Sequence, residues 1–154
     1  MKTFPGLRRR LEVIFDSPEL TVIDDYSHNP AKIAAALAAA RGYGSPLTVI
    51  YRPHGYGPLK RFRRELAAAF SAGLRAEDRL YLLPVFYAGG TAGADFGSLE
   101  FAAGIRTPAG VRVLPDSEAV LENLEPVRGV FLVMGARDPG LPRLARRIAS
   151  ELGG

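Results

Sequence analysis

The chain has 154 residues, of which 47% are hydrophobic and 23% charged, the proportions of an ordinary globular domain. It contains no cysteine, which excludes disulfide bonds, thiolate metal sites and cysteine nucleophiles and favours a reducing compartment such as the cytoplasm. No stretch of eighteen apolar residues and no signal-peptide pattern occurs in the sequence. We therefore expect one cytoplasmic domain, spanning residues 1–154, that does not engage a membrane.

The formal net charge is +4, and arginine supplies most of the positive charge. Arginines at 61–64 and 143–147 recur at helical spacing opposite apolar residues such as Phe62, Leu66 and Leu144, which is typical of a solvated helix face. Aromatic side chains are not interleaved with these arginines as stacking platforms for bases would require. We therefore expect no specific nucleic-acid partner.

In chain order, the apolar runs predict strands at residues 10–15, 20–24, 47–51, 79–85, 111–114 and 130–134. Amphipathic or alanine-rich segments predict helices at 31–41, 59–74, 98–105, 117–124 (with Ser117 as its cap) and 141–152. A turn at 16–19 joins the first two strands as a hairpin. This alternation predicts an α/β fold, a Rossmann-like three-layer sandwich whose mostly parallel sheet has about six strands, the N-terminal one antiparallel.

The most informative stretch is the turn after the second strand. The apolar residues 20–23 run into a polar segment, Pro30 pre-sets the first helical turn, and Asn29 is placed to cap that helix. The turn therefore lies at the carboxyl end of a strand. In open α/β sheets this is the edge where ligands bind. The only two histidines, His28 and His54, both fall in loops that follow strands, which favours one shared site.

Residues 24–30, with the sequence DDYSHNP, resemble the motif that opens the C-terminal domain of Mur ligases, especially the members that add L-alanine to UDP-N-acetylmuramate. Further segments resemble the same family in the same order, namely 4–12, 51–54, 88–95 and 134–136. The resemblance thus spans nearly the whole chain. It implies a domain of an ATP-dependent ligase of peptidoglycan synthesis, with ATP and magnesium as cofactors.

The resemblance also implies roles for individual residues. Arg10 takes the family position that approaches the nucleotide phosphates, and Asp25 the position that contacts the ribose of ATP. Asn29 is assigned, together with Arg10 and Asp25, to the residues that bind the nucleotide. Tyr26, His28 and His54 match positions that line the pocket for the incoming amino acid. The residues by themselves favour structural explanations: Asp25 would cap the turn and the helix, Arg10 would be a solvated arginine on an edge strand, and a histidine in a turn is usually structural or simply exposed.

Two adjacent carboxylates, Asp24 and Asp25, end the second strand. Because neighbouring strand residues point to opposite faces, they are not expected to work as a joined acid/base pair, and at most one of them faces a ligand.

The loop at 53–58 departs from the alanine-adding ligases. The family pattern has two arginines after Pro-His, which are expected to hold the carboxylate of the amino acid, and here Gly55 and Pro58 stand in their place. A substitute cation would have to be Lys60, Arg52 or Arg137, or else the amino acid differs.

No Gly-Lys dipeptide occurs, so the sequence carries no P-loop to cradle ATP phosphates. The family keeps that loop in its central domain. The implied partners are therefore the central and N-terminal ligase domains, together with ATP, the amino acid and a UDP-muramoyl acceptor. Two alternatives remain open, a domain of the related ligase that recycles murein tripeptide and a non-catalytic nucleotide-binding or interaction module.

Overall fold

The computed structural model describes residues 11–86, 96–124, 128–135 and 138–153. Within them one sheet of six strands has the order β1-β2-β6-β3-β4-β5. Only the β1–β2 hairpin is antiparallel, and the remaining neighbours are parallel. The strands are β1 (Glu12–Asp16), β2 (Leu20–Asp25), β3 (Leu47–Tyr51), β4 (Arg79–Leu82), β5 (Gly110–Val113) and β6 (Gly129–Met134). The predicted fold class is confirmed.

Helices connect the parallel strands. They are α1 (Pro30–Arg41), α2 (Tyr56–Arg61), α3 (Arg63–Gly73), α4 (Ser98–Ala103), α5 (Ser117–Glu122) and α6 (Gly140–Gly153). The prediction of one helix over 59–74 is wrong, because the chain leaves helical geometry at Phe62 (φ −104°, ψ 16°) and α2 and α3 are separate. Ser117 does not cap α5. The carboxylate of Asp116 does so, accepting from the N–H of Ala119 at 2.8 Å.

The sheet is covered on both faces, and neighbouring residues of the central strands serve opposite layers. Ile23 packs into the layer formed with α1, α3 and α4, whereas Val22 packs into the layer formed with α5 and α6. This alternation follows from the two-residue period of a strand. All six residues of β2 and all five of β3 are buried, as expected for strands covered on both sides.

A largely buried ion pair ties the end of α1, which connects β2 to β3, to the turn before β4. The guanidinium of Arg41, at the end of α1, donates to both carboxylate oxygens of Asp78 at 2.6 and 3.0 Å. The same carboxylate accepts from the N–H groups of Leu47 and Arg75 at 2.8 and 2.7 Å. The carboxylate of Asp78 therefore holds α1, the start of β3 and the turn before β4 together. This contact lies at the amino ends of the strands, opposite the end where the site is predicted.

Within the described residues, none of the helices has the length and apolar character needed to cross a bilayer.

Candidate functional site

The carboxyl ends of three neighbouring strands assemble the site. In the register of the sheet, Asp25 of β2 and Tyr51 of β3 both lie opposite Met134 of β6. Beyond the strands the backbone pairing continues, because the N–H of Gly135 donates to the carbonyl of Asp25 and that of Arg52 to the carbonyl of Met134. The turn after β2 and the loop after β3 are thereby placed on either side of β6, at the edge where ligands bind in this fold class.

Between the turn and the loop lies a cleft with a volume of about 560 Å³. Of the side chains that the resemblance assigns to ligands, four line it, Tyr26, His28, Asn29 and His54. The structure thus brings both histidines to one place. The other lining residues are Pro30, Tyr51, Pro53, Pro58, Leu59, Phe62 and Leu66.

The turn owes its shape to the cap of α1. The side chain of Asn29 accepts from the N–H of Lys32 at 2.9 Å, and Pro30 occupies the first helical turn, as predicted. The rings of Tyr26 and His28 then meet edge to face, with centroids 5.7 Å apart and planes at 83°. Both side chains are exposed and line the cleft.

His54 is held from behind by a short parallel bridge to Phe86. Phe86 donates its N–H to the carbonyl of Pro53 at 2.7 Å and accepts from the N–H of Gly55 at 2.9 Å. The imidazole packs against the Phe86 ring in a tilted arrangement, with centroids 5.8 Å apart and planes at 31°. Its Nε2 is buried and has no hydrogen-bond partner among the described residues. A buried ring nitrogen left without a partner carries a desolvation cost.

Asp25 is not part of the cleft. It is 1% exposed and accepts two internal hydrogen bonds, from the N–H of Leu11 at 3.1 Å and from the hydroxyl of Ser27. It lines a separate cavity of about 150 Å³ next to Lys32 of α1. Asp24 is buried as well, at 0% exposure, and strand alternation places it toward the other face of the sheet.

Arg10 and Arg137 lie outside the described residues, as does most of the glycine-rich loop at 86–96. Of the other two cations considered for the carboxylate of an amino acid, Arg52 pairs with Asp138, with Nη1 and Oδ2 3.2 Å apart. Lys60 is exposed and does not line the cleft.

The sequence reasoning missed the floor of the cleft. Tyr51 is 2% exposed and packs on Phe70 and Phe101, with centroids 5.1 and 6.5 Å away. Burial raises the pKa of the Tyr51 phenol, so it stays neutral at any physiological pH. Phe62, which was expected on the buried face of a helix, is 43% exposed at the rim. The signal in the sequence that could have identified Tyr51 as a lining residue was its position at the carboxyl end of a strand. Nothing in the hydrophobic pattern indicated that Phe62 would lie exposed at the rim of the cleft.

No group of three or more His, Asp or Glu side chains that could hold a metal ion converges within the described ranges.

Comparison with known proteins places the chain in a family. Residues 9–137 match the family model described as Mur ligase, glutamate ligase domain. A curated UDP-N-acetylmuramate–L-alanine ligase of Mycobacterium tuberculosis is 33% identical over 147 residues, which cover 88% of this chain and 28% of that protein. The chain belongs to the Mur ligase family, and the resemblance drawn from its motifs is confirmed.

Solved structures agree on the fold. The UDP-N-acetylmuramate–alanine ligase of Thermotoga maritima superposes with a TM-score of 0.69 at 22% identity, over 94% of this chain and 30% of that one. A murein peptide ligase of Psychrobacter arcticus superposes with a TM-score of 0.68 at 21% identity, over 98% and 31%. The chain therefore spans about 30% of the length of the ligases that it matches, and similarity of fold does not separate these two activities.

Proposed function

We propose that this chain is the C-terminal domain of an ATP-dependent Mur-type ligase that joins an amino acid, L-alanine according to the resemblance, to UDP-N-acetylmuramate in peptidoglycan synthesis, in the cytoplasm. The observation that carries the proposal is the cleft, in which Tyr26, His28 and His54 line one space beside the first turn of α1. These are the positions that the family uses for the incoming amino acid. Their convergence from two separate loops is what an amino-acid site at this sheet edge requires.

The reaction follows from the family. ATP transfers its terminal phosphoryl group to the muramoyl carboxylate, which yields ADP and an acyl phosphate. The free amine then attacks the acyl carbon, phosphate leaves with the proton that the nitrogen loses, and an amide remains. The cleft would present the amine nitrogen, and closing it against the central domain would expel the water that otherwise hydrolyses the acyl phosphate.

Asp25 is proposed to contact the ribose of ATP, and Arg10 the phosphates. The two internal hydrogen bonds of Asp25 leave acceptor positions on its carboxylate, which has about four. Its cavity of about 150 Å³ is, however, below the usual 300–1,000 Å³ of a small-molecule site. This domain would therefore contact only part of the nucleotide. The loop that cradles the phosphates would come from the central domain.

An assay of phosphate release tests the proposal. Supplied with ATP, magnesium, UDP-N-acetylmuramate and L-alanine, the 154-residue chain should release no phosphate above the blank, because its sequence has no P-loop. Amino acids should nevertheless shift the NMR signals of Tyr26, His28 and His54. Turnover that a mutation in this chain abolishes would contradict the proposal of an incomplete enzyme.

A further inference from the structure

A groove separate from the amino-acid cleft runs between α3 and α4. Ten described residues line it, and none of them lines the cleft. Three of the ten are arginines, Arg63, Arg64 and Arg106, and one is an acid, Glu100. The groove therefore carries an excess of positive charge on a different side of the domain from the proposed site.

This charge is not matched within the part of the chain that the structure describes. The guanidinium groups of Arg64 and Arg106 are exposed and form no ion pair or hydrogen bond with the described residues. Glu100 serves the cap of α4, because its carboxylate accepts the N–H of Gly97 at 2.7 Å. Two cations of the groove are thus available to an acidic ligand.

The start of α3 is strongly basic for the N-terminus of a helix. Lys60, Arg61, Arg63 and Arg64 lie in the segment 60–65, in which Glu65 is the one acid. Cations are unfavourable at that end of a helix, where the peptide dipoles already place partial positive charge. Residues that break a local rule of this kind are found mainly where they serve a function. An acidic ligand would be attracted both by these side chains and by the helix.

The two arginines without partners lie far apart for one small anion. Ser71 lies seven residues beyond Arg64, which is two helical turns or about 10 Å along α3. The hydroxyl of Ser71 accepts the N–H of Arg106 at 3.1 Å, so Arg106 lies at that end of the groove. Helical side chains lean toward the N-terminus, which directs Arg64 away from Arg106. Two acids spaced about two helical turns apart would meet both arginines.

Between the two arginines the lining is small and apolar. Ala67, Ala68 and Gly104 have no side chain larger than a methyl group, which allows a second helix to approach closely. The lining positions of α3 repeat at the helical period, so a helix laid along them presents its own residues with the same period. At one end the guanidinium of Arg63 lies over the ring of Phe96, its Cζ 5.9 Å from the centroid, so this ring is not a free platform for a nucleic-acid base.

We infer that the groove between α3 and α4 binds an acidic amphipathic helix of a partner protein. One acidic side chain of that helix meets Arg64, a second one two turns further on meets Arg106, and apolar side chains between them cover Ala67 and Ala68. The inference goes beyond the proposed function and does not rest on it, because the groove and the cleft share no lining residue.

NMR titration of the ¹⁵N-labelled 154-residue chain with a designed peptide tests the inference. The peptide is a capped alanine–glutamine helix with two glutamates about two turns apart and two leucines midway between them. It should shift the signals of Ala67, Ala68, Ser71 and Gly104 and leave the signal of His28 in the cleft unmoved. A second peptide, in which glutamine replaces both glutamates, should bind at least about fivefold more weakly, because two charge-assisted contacts are lost.

Variants of the two arginines separate their contributions. Arg64→Gln and Arg106→Gln should each weaken binding of the acidic peptide about three- to fivefold, the upper range for an ion pair near a surface. The double variant should weaken binding about tenfold or more, because effects at separated sites add in free energy. Arg146→Gln is the matched control. It removes an exposed arginine from the solvent face of α6, in the other helical layer, and should leave the affinity unchanged.

A substitution between the two arginines gives an independent test. Ala68→Glu places a carboxylate in the groove and should bind the acidic peptide at least about fivefold more weakly than Ala68→Gln, which has the same size without the charge. Both variants should fold, because position 68 is exposed on α3 and both residues are good helix formers. Dispersed spectra establish that all variants are folded.

The inference fails if the acidic peptide shifts none of the groove signals or binds no better than its glutamine analogue. It also fails if Arg146→Gln weakens binding as much as Arg64→Gln does, since the effect would then come from net charge alone. Displacement of the peptide by inorganic phosphate at equal concentration would assign the arginines to a small anion instead. Groove signals that shift with the concentration of the chain alone would assign the groove to a second copy. Submicromolar binding of a nucleic-acid duplex that Arg64→Gln abolishes would assign it to nucleic acid.

Discussion

Gly55 and Pro58 are sterically coupled, since a β-carbon placed on Gly55 would lie 3.1 Å from Cδ and 3.4 Å from Cγ of Pro58. Gly55 also has a φ of +79°, a conformation that side-chain-bearing residues rarely adopt. The two departures from the family pattern are therefore one structural unit, a tight turn that opens α2. Restoring an arginine at position 55 alone would strain this turn.

Gly55→Ala should destabilise the fold by about 1–2 kcal/mol from the positive φ, with a further steric cost from the proline ring. Urea unfolding measures the change in free energy of unfolding. The double variant Gly55→Ala/Pro58→Ala should recover the steric part only, which a double-mutant cycle isolates. Gly110→Ala is the control, because nothing lies within 4 Å of its added β-carbon and its φ is not positive. Equal costs at the two glycines would show that the turn is not strained.

Because of Asp78, the free energy of unfolding of the domain should depend on pH in the acid range. Burial by itself raises the pKa of this carboxyl, but hydrogen bonds from Arg41 and from the N–H groups of Leu47 and Arg75 outweigh it and lower the pKa. Because the folded pKa lies below the unfolded value of about 3.9, the stabilisation is fully present above that pH. It is lost as the pH falls through the folded pKa.

Asp78→Asn should cost about 1.5–3 kcal/mol near pH 7, the loss of hydrogen bonds to a charged group, and its stability should converge with that of the wild type in acid. Urea unfolding at a series of pH values gives both numbers. Glu118→Gln breaks the exposed pair with Arg147 and should change little at any pH. An Asp78→Asn deficit that persisted unchanged in acid would contradict the assignment.

Asp25→Asn should lower the affinity of the complete ligase for ATP about ten- to a hundredfold, the usual worth of a hydrogen bond to a charged group. The fold should survive, since the amide oxygen can still accept from Leu11. Asp24→Asn is the neighbouring control and should matter less for ATP, because strand alternation turns it to the other face. Titration with ATP measures the affinity of both folded variants. If Asp24→Asn weakened ATP binding more than Asp25→Asn, the alignment of this turn with the family motif would be wrong by one residue.

Binding to duplex DNA or RNA should be weak and nonspecific at physiological salt, with a Kd of about 10⁻⁴ to 10⁻⁶ M or weaker. The physical reason is that Arg143, Arg146 and Arg147 are exposed on the solvent face of α6, opposite buried Leu144 and Ile148. Fluorescence anisotropy with a labelled duplex measures this. A submicromolar Kd at that salt would favour an RNA- or DNA-binding role instead.

Much of the architecture could be predicted because the hydrophobic pattern that indicates a strand or a helix is contained in a short stretch of sequence. The predicted runs at 20–24, 47–51 and 130–134 are mostly apolar without strict alternation, which is typical of strands covered on both faces, and the segments between them are long enough for helical crossovers. These two facts indicate a mostly parallel sheet. They also place the turn with Tyr26 and the loop with His54 at its carboxyl edge.

What the local pattern could not decide was which groups meet there. The order of strands puts β6 between β2 and β3, and this long-range pairing sets the width of the cleft between Tyr26 and His54. The amphipathic pattern predicted one continuous helix over 59–74, whereas the backbone leaves helical geometry at Phe62, between α2 and α3.

Side-chain direction was likewise a tertiary matter. The sequence by itself determined that Asp25 and Arg52 end neighbouring segments at the ligand edge. Only the folded chain turned the carboxylate of Asp25 to Leu11 and Ser27, and the guanidinium of Arg52 to Asp138. A charged group at a strand end takes whichever partner the fold brings within hydrogen-bond reach, and two of these partners, Leu11 and Asp138, are distant in sequence from the group that they meet.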